Sequence, residues 1–485
     1  MKKNYIKKAR KFSCLFLYML FFINPVSSQN KSGLSIYSQA LQGNLNTIDE
    51  HFSLISDPTV EEWYGYTFSK ALLAMIQSSQ ESQNDFFNTA DDAIATIKSQ
   101  KSNTWSNYFL AEIYLYRSFI NLKNKNEFQS LFDFRQAYRI TENNLKNDKT
   151  FLPSHKTLGL IQVILGAVPD KYQWLVSFVG WEGSTENGLE LISESTSNSI
   201  IKKESLLLLG LLNTYLLNDY PTSIQIYQTL TTEHPNDLII PLVYAAALIK
   251  SSHSNEALYL LNKIKSNTST FPQINYLLGE IYLQSGNYTK SRQAYLNFIQ
   301  SSKGEDLVKD SYYKIGISYL IENNKEQAEI NFNQSRNINS ANTESDQYAS
   351  RQLEKPLPDI SLIQIRFAID GGYYKYADSL LNRTNPKDLS QEDQIEYIYR
   401  KARLYHKSGV ISKSISLYKE VINKSTSSKS YIGPNSALLL AYIYYEDHMN
   451  SEAEKYALIA INWKNHAYEE GIESSAKALL KKINN

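Results

Sequence analysis

Seven histidines (His51, His155, His234, His253, His406, His448 and His466) are the side chains best suited to metal or proton-transfer chemistry. No two of them stand three to five residues apart, the spacing that puts two imidazoles on one helix face, so no metal centre is expected. The acidic doublets Glu61-Glu62, Asp91-Asp92 and Glu469-Glu470 read as charged helix surface rather than as paired carboxylates. No glycine-rich loop ends in Gly-Lys-Ser/Thr, and no Gly-x-Ser-x-Gly elbow is present, which removes the commonest phosphate-binding and serine-nucleophile arrangements. Cys14 is the only cysteine, so the rest of the chain has no thiol nucleophile, thiolate site or disulfide. With no catalytic residue and no cofactor in view, the remaining chemistry is recognition.

Recognition needs surfaces, and the surfaces follow from a repeat. Leu278-Gly279-x-x-Tyr282 is followed by Ser291-x-x-x-Tyr295; Ile315-Gly316-x-x-Tyr319 by Ala328-x-x-x-Phe332; Lys401-Ala402-x-x-Tyr405 by Ser414-x-x-x-Tyr418. A small residue lets two helices approach, and an aromatic three residues on fills the gap on the same face. Aligning on the small slot gives Leu211, Ala245, Gly279, Gly316, Ile365, Ala402 and Ala441, at intervals of 34, 34, 37, 49, 37 and 39 residues. Ala257, Ala328, Ala377 and Ala453 supply the small contact of the second helix, and the Leu211 copy is shifted, with Gly210 one residue early. This pattern resembles the tetratricopeptide repeat, which implies an all-α, right-handed α-solenoid of stacked antiparallel hairpins over residues 201–485.

The first helix of each hairpin lines the concave groove in such arrays. The register therefore nominates Tyr276, Glu280, Tyr313, Ile317, Tyr399, Arg403, His406, Tyr442 and Tyr445 as candidate partner contacts. With 36 tyrosines in the chain, many must instead pack between helices. The Lys/Asn/Arg set with which chaperone-binding tetratricopeptide proteins hold a terminal carboxylate is absent from these slots.

Residues 29–200 carry helical spacing too, over Leu34 to Ile55, Val60 to Gln77, Asp85 to Ser99, Thr104 to Leu122 and Phe128 to Asn144. They read as divergent hairpins of the same stack. Ser340 to Pro358 is polar and reads as a long loop or frayed helix, and Ala467 to Ile483 as a solvating cap. Residues 1–28 differ. A basic stretch with Lys2, Lys3, Lys7, Lys8, Arg10 and Lys11 precedes an apolar run from Phe12 to Ile23 and small residues at Val26-Ser27-Ser28. About twelve apolar residues make a helix of ~18 Å, short of a ~30 Å membrane core, so a cleaved secretory signal with Gln29 as mature start is expected. Cys14 comes too early for lipid attachment. Removing six basic residues takes the net charge from +1 to about −5, which leaves no electrostatic footprint for nucleic acid.

Leu158 to Ile192 departs from the period. Gly159, Gly166 and Gly180 punctuate an apolar stretch with Val168-Pro169-Asp170-Lys171, Trp174, Phe178 and Trp181, and Gly183 to Gly188-Leu189 follows. The arrangement resembles a eukaryotic tetratricopeptide-like family connected with inclusion-body clearance and lipid droplets. In that family the turn is Leu-Pro-Pro and a Gly-Asp-Arg-like stretch follows; here Val-Pro-Asp and Gly183-Ser184-Thr185 take those places. Two readings stand: a buried helical pair whose glycines allow close crossing, or an apolar patch of Trp174, Phe178 and Trp181 offered to a lipid, membrane face or partner helix. The chain is expected to be an exported, non-enzymatic scaffold of the periplasm or outer envelope, binding a protein or peptide segment in its groove. Its rivals are a glycan-capture protein and a lipid-associated protein acting through residues 158–192.

Overall fold

The computed structural model describes residues 34–167, 183–426, 429–466 and 468–484. All regular structure among them is helical. Two short helices open it, α1 (Ser35–Gln42) and α2 (Ile48–Ser53), followed by α3 (Val60–Gln77), α4 (Gln80–Ser99), α5 (Thr104–Lys123) and α6 (Glu127–Asn147). Then come α7 (Leu152–Gly166), α8 (Thr185–Ser195), α9 (Lys202–Leu212), α10 (Tyr220–Glu233), α11 (Ile239–Lys250) and α12 (Ser254–Ile264). Next are α13 (Gln273–Gln284), α14 (Tyr288–Ser301), α15 (Val308–Ile321), α16 (Lys325–Asn337) and the single helix α17 (Glu344–Leu353). The series ends with α18 (Ile360–Asp370), α19 (Tyr374–Arg383), α20 (Gln391–Lys407), α21 (Ile411–Lys424), α22 (Ile432–Glu446), α23 (Asn450–Asn462) and α24 (Glu469–Asn484). Consecutive helices pair as antiparallel hairpins, the α-solenoid construction expected of the repeat.

Local chemistry sets many of the boundaries. Thr59 caps α3 by accepting from the Glu62 amide while the Glu62 carboxylate accepts from the Thr59 amide at 2.8 Å, a reciprocal capping box. Asn103 and Ser106 do the same for α5. The expected helix from Leu34 to Ile55 is two helices, because Gly43 adopts a φ of 83° and ends α1. A side chain there would also press on Leu238 and Phe271.

The repeat slots are helix-crossing points. A Cβ added to Gly279 would stand 2.7 Å from the Tyr295 ring, and one added to Gly316 would stand 2.5 Å from the Phe332 ring. In the α9–α10 hairpin the same contact is Gly210 against Tyr227, so Gly210 and not Leu211 holds the small slot. The one-residue slip has a cause: a π-helical turn at Asn213–Leu217 inserts a residue between the slot and its aromatic. At the crossing of α7 and α8 backbone meets backbone: a Cβ on Gly159 would meet the Gly188 carbonyl at 2.6 Å and one on Gly188 the Gly159 carbonyl at 2.5 Å. Gly159 and Gly188 thus allow a close crossing of α7 and α8, while the expected helical pair with Gly180, Trp174, Phe178 and Trp181 lies outside the described residues, as do residues 1–28.

The chain divides into two compact units. The first runs to Ile281 and includes Thr289–Ile317 and Glu326–Glu354; the second comprises Tyr282–Tyr288, Ser318–Lys325 and Lys355–Asn485. Residue 200, the expected start of the array, falls inside the first unit. That unit is not a simple one-dimensional stack, in which each repeat would touch only its neighbours. The Leu238 amide donates to the Gln42 carbonyl at 3.0 Å, Asn46 bonds Thr270 at 3.0 Å, Gln273 donates to the Ile76 carbonyl at 2.7 Å, and Lys123 pairs with Asp306 at 3.1 Å. Helices α1 to α5 therefore close onto the loops that precede α11, α13 and α15.

The polar stretch Ser340 to Pro358 also differs from expectation. Its middle is α17, capped by Thr343 and docked by Asp346, whose carboxylate is buried and accepts from the amides of Leu307 at 2.9 Å and Asp310 at 3.0 Å. One acid thus satisfies donors at the N-terminus of another helix, which binds α17 to α15.

Candidate partner-binding face

The nominated groove residues separate by their place relative to the small slot. Tyr276, Tyr313 and Tyr399 each precede it by three residues, which puts them on the same helix face as the slot itself. They are 7%, 1% and 2% exposed. Each packs on the aromatic of its own second helix: Tyr276 on Tyr295 at 5.8 Å between centroids, Tyr313 on Phe332 at 6.0 Å, Tyr399 on Tyr418 at 6.4 Å. This corrects their reading as groove contacts, because a covered phenol ring has no surface to offer a partner. Ile317 is buried as well.

Glu280 sits one residue after its slot and is half-buried, but it is committed to its own unit. It accepts from the Tyr295 hydroxyl and from Lys314, which also pairs with Asp310 at 2.7 Å. Burial works against the Lys314 charge, yet Asp310 and Glu280 outweigh it and hold the ammonium well above its ordinary pKa. Tyr276 completes the cluster by donating to Asp310 at 2.7 Å.

A second polar cluster, not anticipated from sequence, lies deep in the first unit. Lys156 of α7 pairs with Glu112 of α5 at 2.7 Å and with Glu204 of α9. Thr157 donates to Glu112 at 2.6 Å, Tyr108 to Glu204 at 3.2 Å, and Tyr37 of α1 to Glu204 at 3.3 Å. Burial lowers the Lys156 pKa against the opposing pull of Glu112. The available signal was a charge amid apolar neighbours, at Lys156 and at Glu112 (the one acid of α5), because such a charge must find partners from other helices. The cluster is wholly enclosed and internally satisfied, so its role is to hold α1, α5, α7 and α9 together.

In the second unit the outward positions remain reachable. Arg403 and Tyr442 each follow their slots (Ala402, Ala441) by one residue, and His406 and Tyr445 by four, so the four occupy matching places on the first helices α20 and α22. All four are half-buried. Arg403 pairs with Asp370 of α18 at 2.9 Å, and this carboxylate keeps its pKa above the ordinary value although burial opposes the charge. His406 Nδ1 lies 3.3 Å from the Tyr418 hydroxyl. Burial first, then Lys407 and Arg403, push its pKa down to about 4, so it is neutral at physiological pH. Tyr442 bonds the Ser475 carbonyl at 3.5 Å. Below them Tyr399 accepts from Asn435 of α22 at 2.6 Å, which ties α20 to α22, and Arg400 binds Glu396 at 2.6 Å within α20 itself. The result is a rigid floor with a cation, a neutral imidazole and two phenols at its surface. Among the described residues no group of three or more His, Cys, Asp or Glu is placed to hold a metal ion, and no described helix is long and apolar enough to cross a membrane.

A family model described as Iml2/Tetratricopeptide repeat protein 39 matches residues 65–359, more than half of the chain. The chain belongs to the Iml2/Tetratricopeptide repeat protein 39 family. The matched span includes the Gly-rich crossing of α7 and α8 and the ion pairs of Lys156 with Glu112 and Glu204. No curated protein matches the sequence. Among solved structures, human IFIT1 bound as a dimer to PPP-AAAA is 12% identical with 99% of each chain covered and a TM-score of 0.35. The apo quorum sensor NprR from B. thuringiensis is 11% identical, with 95% of this chain and 99% of that one covered and a TM-score of 0.27. A signal-transduction ATPase with a tetratricopeptide sensor, from Pyrococcus horikoshii, is 13% identical over 95% of this chain and 69% of its own, with a TM-score of 0.33. Tetratricopeptide-like folds in general serve as interaction scaffolds.

Proposed function

We propose that the protein is a non-enzymatic scaffold that holds a segment of a protein partner along the first helices of its second unit, at Arg403, His406, Tyr442 and Tyr445. The observation that supports this is the pairing of Arg403 with Tyr442 and His406 with Tyr445 at matching places on α20 and α22, half-exposed over a floor locked by Tyr399, Asn435, Arg400 and Glu396. Tyrosines contribute broad contact area at low entropic cost, and a partly desolvated arginine adds directional hydrogen bonding. The leader-like first 28 residues support an exported protein working in the cell envelope.

The test is affinity capture of partners with the wild-type chain and with Arg403→Ala and Tyr442→Ala, each confirmed folded by circular dichroism. Loss of the same partner from both variants is expected; unchanged recovery overturns the assignment of this face. Sequencing the N-terminus of the protein purified from its native host tests the leader, with Gln29 expected first.

A further inference from the structure

Three of the exposed large apolar side chains of the first unit share one helix. Phe128, Leu131 and Phe132 of α6 are 93%, 49% and 54% exposed. At 100° per residue they share one face with Arg135, Arg139 and Lys146, which are exposed in turn. The opposite face carries Ser130, Asp133, Phe134 and Ala137, which are buried, with Ser130 meeting Ser118 and Asp133 meeting Asn121 on α5. The outward stripe is therefore apolar over its first half and cationic over its second. Glu142, the one acid on that face, is half-buried and accepts from Tyr138.

Cations near a helix C-terminus complement the helix dipole and need no partner to explain them. Three exposed large apolar residues at i, i+3 and i+4 have no such account, because each leaves nonpolar area in water. What could cover them is limited by the neighbouring second helices. In the preceding hairpin α4 exposes Glu81, Asp91 and Asp92, and in the following one α8 exposes Glu186, Glu190 and Glu194. The cations of α6 are thus flanked by acid on both sides, with Lys98 the one exposed cation of α4. A broad anionic surface, whether a lipid bilayer or a nucleic-acid backbone, would meet those acids as well as the arginines. A single helix laid on α6 would not.

We infer that the outer face of α6 is a docking site for one amphipathic partner helix, whose apolar seam covers Phe128, Leu131 and Phe132 and whose acidic end meets Arg135, Arg139 and Lys146. The site spans about 31 Å, or 21 residues at ~1.5 Å each, and lies on a different helix from the proposed groove contacts. Helix-on-helix recognition of this kind reads i, i+3, i+4 anchors, with charge setting the orientation.

The test uses the full chain and a labelled 21-residue helical peptide carrying leucines at i, i+3 and i+4 in one half and glutamates along the same face in the other. Saturable binding is expected, weakened at least tenfold by Phe128→Ser/Phe132→Ser and likewise by Arg135→Glu/Arg139→Glu. A peptide with lysines for the glutamates should bind at least tenfold more weakly to the wild type. The substituted side chains are exposed, so both double variants should keep the wild-type circular dichroism. Three results overturn the inference: no binding of the acidic peptide at 100-fold the protein concentration, equal binding by the variants, or a wild-type dimer that the phenylalanine variant dissociates. Sedimentation with phosphatidylserine vesicles that the arginine variant abolishes would also overturn it, in favour of a membrane.

Discussion

Asp346 offers the sharpest test of how the first unit is held together. Its carboxyl is buried between α17 and α15, accepts the amides of Leu307 and Asp310, and receives the Thr343 hydroxyl at 2.6 Å. Burial raises its pKa from an ordinary 3.8 to about 7; the Asp310 carboxylate adds to the rise, and the bonds from Thr343 and the two amides oppose it. The folded state thus binds more protons than the unfolded chain between those two values. Stability is fully present below about 4, falls as pH rises, and has lost this contribution above about 7. At ~1.36 kcal/mol per tenfold, the ionised carboxylate at pH 8 costs the folded state up to about 4 kcal/mol. Asp346→Asn removes the titration, keeps one acceptor for the amides, and places an N–H donor beside Asp310, whose Oδ1 is buried with no hydrogen-bond partner among the described residues. The variant should match the wild type near pH 4 and hold α17 more tightly at pH 8, by a part of that 4 kcal/mol. A two-unit protein of this size need not unfold in one step, so the assay is amide hydrogen exchange of α17 and of Leu307 to Asp310, corrected for the intrinsic pH dependence of exchange. A difference between variant and wild type that stays constant from pH 5 to 8 would refute the reasoning.

Other consequences follow from the same packing. Gly316→Ala drives a methyl into the Phe332 ring and should destabilise the protein by about 1–3 kcal/mol. Gly471→Ala in α24 meets nothing within 4 Å and should instead stabilise its helix by roughly 0.5–1 kcal/mol; urea melts of the pair check the contrast. Lys156→Met strands Glu112 and Glu204 in the interior and should cost about 3–5 kcal/mol, seen as loss of the cooperative thermal transition near its wild-type temperature. His406 should stay neutral in an NMR titration down to about pH 5, because its pKa is held near 4. The stability linked to that depression is present above an ordinary 6.5 and lost as pH falls towards 4.

What was legible from residues alone was what short spacings encode. Gly279 and Gly316 announce their crossings because the small slot and its aromatic stand sixteen residues apart within one hairpin, and the contact is made there. The same periodicity carried more than it was asked for. A tyrosine three residues before the slot must share the slot's face, and Tyr276, Tyr313 and Tyr399 accordingly pack on the second-helix aromatic. In the second unit the positions one and four residues after the slot stay half-exposed, at Arg403, His406, Tyr442 and Tyr445, whereas in earlier copies of the repeat Ile317 and Leu283 hold the same places and are buried. The features that escaped are those whose partners lie far along the chain. Nothing near Asp346 marks it as buried, because the donors that justify its burial are 36 and 39 residues away. Lys156 is matched by Glu112 and Glu204, 44 and 48 residues to either side, and Asn46 finds Thr270 across 224. A period of 34 residues predicts contacts between neighbours; it carries no term for a chain that returns to its own beginning. In the first unit that return is made by polar groups, at Gln42, Asn46, Lys123 and Gln273, and polar residues are the ones a hydrophobic period discards as surface. The outward face of α6 is the complementary case: Phe128, Leu131 and Phe132 fit a helical period and would be counted as core, and only the packed structure shows that none of the described residues covers them.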